Sequence, residues 1–70
     1  MDETPNLDCM DVDDLEQFAS DPTSHHVLAQ YACHKCGAIR ARLAGNIPRA
    51  LELEALCDRI YGRLPRELQW

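Results

Sequence analysis

Beyond its first ten positions, the chain spaces its apolar residues at helical rather than strand-like intervals. Leu28, Ala32, Cys36, Ile39 and Leu43 recur at spacings of four, four, three and four. Ala50, Leu53, Cys57, Ile60 and Leu64 recur at three, four, three and four. Each series is the apolar stripe of one amphipathic helix. Between them stands Gly45-Asn46, a turn dipeptide. The expectation is an antiparallel hairpin of helices over 22–44 and 46–62. Both helices rise by about 1.5 Å per residue. Folding back at the turn therefore sets Leu28 level with Leu64, Ala32 with Ile60, Cys36 with Cys57, Ile39 with Leu53 and Leu43 with Ala50. Large faces small in most of these layers, as close packing requires.

Val12, Leu15, Phe18 and Ala19 give a shorter stretch, 11–20, an apolar side. Asp11 or Asp13 suits its N-cap, Asp13-x-x-Glu16 has capping-box spacing, and acids in a first turn match the helix dipole. A helix this short does not persist alone in water, so its apolar side must lie on the hairpin. Ser20-Asp21-Pro22-Thr23 reads as a stop and restart, with Asp21 capping and Pro22 in the first turn of the long helix. Gly45 closes that helix and Asn46 caps the next, with Pro48 in its first turn and Gly62 as its terminator. In the tail, 63–70, Pro65 opens a further helical turn, and Trp70 needs a resting place on the hairpin. Residues 1–10 are charged and aperiodic, and are expected to form a flexible acidic arm. The whole is one all-α domain, 1–70: an antiparallel two-helix hairpin with a short N-terminal helix packed across it and a short C-terminal tail. In spacing, Ala38, Gly45, Ala50 and Pro65 resemble one tetratricopeptide-type helix pair. No second copy exists and that motif's aromatic positions are not filled, so no family is assigned.

A chain of 70 residues makes one domain with a thin core. No window holds the ~18 apolar residues of a membrane span. The opening MDETPNLDCMDVDD is acidic where a signal peptide is basic and then apolar, so the expected setting is cytoplasmic. There, four cysteines read as thiols or metal ligands rather than as a disulfide framework. Charge is divided unevenly. Eight acidic and no Lys or Arg residues precede position 25, and seven basic face four acidic residues after it. An acidic arm docked on a basic hairpin is one expectation, and a solvated acidic segment is the other.

Cys33-His34-Lys35-Cys36-Gly37 is the stretch with most chemical character. C-x-x-C-G forms the knuckle of many zinc ribbons, but a structural zinc needs four ligands. Cys57, level with residues 34–36, and Cys9 from the arm are the candidates to complete Cys33 and Cys36; His25, His26 and His34 are further donors. Against zinc, the helical stripe runs through residues 33–37 unbroken, which makes Cys36 and Cys57 small core residues. A thioredoxin-like role needs the pair at a helix N-terminus, and here it is mid-helix. The adjacent His25 and His26 point two ways and do not chelate one ion from one helix face. No nucleophile–base set or phosphate loop is present, so no enzyme and no cofactor is expected. Arg40, Arg42 and Arg49 near the turn, with Arg59, Arg63 and Arg66, raise nucleic-acid binding. The acidic balance and the long antiparallel arms count against it. Tyr31, Leu51, Leu56 and Tyr61 lie off the central stripe and make the expected interaction surface. The favoured function is a small non-catalytic protein–protein interaction or regulatory module, binding a protein partner or self-associating into a four-helix arrangement. A zinc-binding or thiol-based regulator is the alternative, and a nucleic-acid-binding regulator is third.

Overall fold

A computed structural model describes residues 6–70, so residues 1–5 of the expected arm lie outside the described residues. The described chain is all-α. Three α-helices, α1 (Val12–Ser20), α2 (His26–Leu43) and α3 (Ile47–Arg63), are flanked by 3-10 turns at Leu7–Cys9 and Arg66–Leu68. Helices α2 and α3 pack as the hairpin, and α1 lies against α2.

Local chemistry sets most boundaries. Asp11 is the cap of α1, its carboxylate accepting from the Asp14 N–H at 2.9 Å. Asn46 caps α3 through the Arg49 N–H at 3.3 Å, and Pro48 sits in that first turn, where a missing N–H costs nothing. Gly45 takes the positive φ of 80° that closes α2. Two boundaries differ from the sequence pattern. Asp21 spends its carboxylate on a local turn, accepting from the Thr23 N–H at 2.9 Å and the Thr23 hydroxyl at 2.7 Å. Helix α2 therefore begins at His26, capped by His25, rather than at Pro22. Gly62 does not terminate α3, which runs one residue further and is capped at Leu64 in extended backbone.

The main core sits at the open end of the hairpin. Leu7, Leu15, Leu28, Tyr31, Ala32, Cys36, Cys57 and Leu64 form one buried cluster there, with Phe18, Ile60 and Trp70 packed partly against it. Cys36 and Cys57 share that cluster, as the expected register requires. Two expectations are corrected. Residues 6–10 are not a free arm: Leu7 is 0% exposed, because the 3-10 turn drives it under the hairpin's open end. Leu43 is not a core residue either, at 80% exposure. The stripe that carries it is used by Leu28, Ala32 and Cys36 against the main cluster, but α1 reaches only to the level of Arg40, through its Glu16 ion pair. Near the turn the buried side chains are the small Ala38 and Ala50, with Leu53 crossing Gly37. Ala38 and Leu43 lie about 140° apart around the helix. Turning Ala38 inward thus turns Leu43 out.

Candidate interaction surface

The hairpin tip collects the large apolar side chains left in solvent. Leu43 ends α2, Ile47 opens α3, and Leu51 follows one turn later at i+4, on the same face as Ile47. They are 80%, 43% and 54% exposed. The cause is local. Alanines fill the interior at this end, and neither α1 nor the tail extends to it, so the side chains on both sides of the turn have nothing to lie against. The patch is bordered by charge of both signs. The Arg42 guanidinium grips Glu54 with two bonds, Nε at 2.6 Å and an Nη at 2.8 Å, bridging α2 to α3. Arg49 pairs with Glu52 at 2.6 Å on the outer face of α3. The bonds from Arg42 hold the Glu54 carboxyl below its ordinary range, and Glu54 in turn raises the guanidinium.

The four residues expected to form the surface divide. Leu51 is exposed as expected. Leu56 is half-buried on the opposite flank of α3. Tyr31 is buried, at 5% exposure, with its hydroxyl donating to Asp8 Oδ1 at 2.8 Å and its ring against Trp70. Tyr61 is half-buried under the same indole. Leu43 and Ile47 take the place of the two tyrosines at the exposed surface. Ile47 was legible as an apolar residue off the stripe; Leu43 was hidden because the stripe claimed it.

No protein-family model, curated protein or solved structure matches the chain.

The cysteines do not assemble into a ligand set. Cys9 and Cys33 are exposed, Cys36 and Cys57 are buried, and all four are free. Among the described residues no three His, Cys, Asp or Glu side chains converge as a metal site. The Cys36 thiol points to the Val12 carbonyl of α1 and the Cys57 thiol to the Tyr31 carbonyl of α2, each at 3.9 Å. Burial pushes the Cys57 thiol up to about 11, so it is a neutral, packed group. Between α1 and α2 runs an open groove of about 330 Å³, floored by Ala19, Cys36 and Gly37, with Cys33 on its wall and Glu16 and Arg40 at its rim. The arginines pair in three ways. Arg40 meets Glu16 of α1, whereas Arg42 and Arg49 are taken up within the hairpin rather than by the acidic segment. Among the described residues, no helix is long and apolar enough to cross a membrane.

Proposed function

We propose that this chain is a small non-catalytic interaction module and that the hairpin tip is its contact surface. One observation carries the reading: Leu43, Ile47 and Leu51, exposed by 80%, 43% and 54%, gather at one end of the molecule while the other end is closed by its own turn, helix and tail. Exposed apolar side chains scattered singly need no explanation, whereas a group rimmed by polar residues marks a contact site. The occupant we favour is a second copy of the chain. Two copies meeting tip to tip about a two-fold axis would cover Leu43, Ile47 and Leu51 of each with the same residues of the other, and the rim charges, already paired within each chain, add no net repulsion to that contact.

Amide spectra recorded over a concentration series test the reading. Shifts or broadening centred on Leu43, Ile47 and Leu51 are expected as concentration rises. Changes centred on the α1–α2 groove would move the contact surface elsewhere, and spectra unchanged to millimolar concentration would refute the second copy as occupant.

A further inference from the structure

The N-terminal turn and the tail meet over α2 at a single carboxylate. Asp8 Oδ1 accepts from the Tyr31 hydroxyl at 2.8 Å and lies 3.5 Å from the Lys35 ammonium, while Oδ2 accepts from the Trp70 indole N–H at 3.0 Å. The indole stands edge-on to two rings, with centroids 4.9 Å from Tyr31 and 4.7 Å from Tyr61. The Tyr61 hydroxyl donates to the Trp70 carbonyl, and the Gln69 amide reaches back to the carbonyls of Tyr61 and Leu64. Nothing in the tail is deeply buried: Pro65, Arg66 and Glu67 are exposed, and Leu68, Gln69 and Trp70 are half-buried. The tail is therefore seated by directional contacts together with partial packing of Leu68 and Trp70 on the edge of the core.

We propose that residues 65–70 form a releasable strap across a cleft of two tyrosines, and that the charge on Asp8 is the pin that holds it. A charged acceptor makes roughly twice as strong a hydrogen bond as a neutral one. Removing the charge weakens the hold on the indole N–H and ends the attraction to Lys35, which leaves the ring contacts to compete with water. Release uncovers Tyr31 and Tyr61, a second apolar face at the opposite end from the hairpin tip. The strap is thus a cover whose position decides whether that face is available, independently of what the tip binds.

The pin has a pH signature. Around Asp8 stand Tyr31 and Lys35 from α2, Trp70 from the tail and Cys57 from α3, with Asp58 of α3 acting on Tyr31. Partial burial raises the Asp8 carboxyl, but the bonds from Trp70 and Tyr31 and the charge of Lys35 outweigh it and hold the group below its ordinary 3.8. A depressed carboxyl stabilises the seated strap above the ordinary value and loses that effect as pH falls through the folded one.

Trp70 is the single tryptophan, so its emission reads the strap directly. The full chain and Asp8→Asn are followed from neutral pH into acid, with the helix signal recorded beside the emission. In the parent chain, emission should shift to the red with a midpoint below 3.8, before any helix is lost. In Asp8→Asn it should be red-shifted already at neutral pH, with helix content unchanged and no acid transition. Asp58 remains in the variant and is thereby controlled. Asp8→Asn emission identical to the parent's, or parent emission that moves only together with the helix signal, would overturn the proposal. Should the variant not fold, the titration of the parent chain decides alone.

Discussion

At Leu7 a single side chain closes the open end of the hairpin, fully buried in one cluster with Leu15, Leu28 and Leu64. Truncating a buried leucine costs about 2–5 kcal/mol, depending on how far the site collapses. Leu7→Ala is expected to lose stability in that range by urea unfolding, as much as Leu15→Ala. A free arm would leave the midpoint unmoved. The cysteines give a second expectation at this scale. Cys9 and Cys33 are exposed, whereas Cys36 and Cys57 are buried. In the native protein a thiol reagent should modify two thiols at once and the other two only on unfolding. Four fast thiols would contradict the packed core. The residue scale is also where the sequence is least legible. Leu7 sits among Asn6, Asp8 and Cys9 with no periodic neighbour, so nothing in the pattern marks it as core. Its burial depends on a 3-10 turn held by the Asn6 side chain, which accepts from the Asp8 N–H at 3.1 Å.

The helices themselves were legible because caps, turn and stripe agree. Asp11, Asn46, Pro48 and Gly45 each do at their helix ends what their chemistry suits them for. Gly45→Ala, forced to hold a φ of 80°, is expected to destabilise by about 1 kcal/mol, read as a lower denaturant midpoint with unchanged slope. At two places a competing partner overrides the pattern. Asp21 caps a turn instead of α2, and the apolar stripe of α2 serves the cluster shared with α1 rather than α3 alone, which strands Leu43. Helix α1 belongs to the fold, since Leu15 is fully buried and Phe18 packs on the core. Deleting residues 1–21 should therefore lower the melting temperature and raise binding of an apolar dye. An unchanged melt would mean that this segment does not support the hairpin.

Across the whole molecule the distribution of covering elements is lopsided. The envelope measures 38 × 23 × 18 Å, and its long axis is that of a hairpin whose far end has alanines inside and leucines outside. The open end carries the N-terminal turn, α1 and the tail, while the tip carries nothing from the described residues. Domains this small commonly gain stability from a metal, disulfides or a partner. At the tip of this chain, the exposed Leu43, Ile47 and Leu51 are the side chains that the proposed second copy would cover. Sedimentation equilibrium over a wide concentration range, on the parent chain and on a Leu43→Ser, Ile47→Ser, Leu51→Ser variant, tests this most directly. The parent should rise from the 8.0 kDa monomer toward twice that mass, and the variant should stay monomeric with its helix content intact. A parent mass constant at 8.0 kDa up to millimolar concentration, or a variant that associates as well as the parent, would contradict the account.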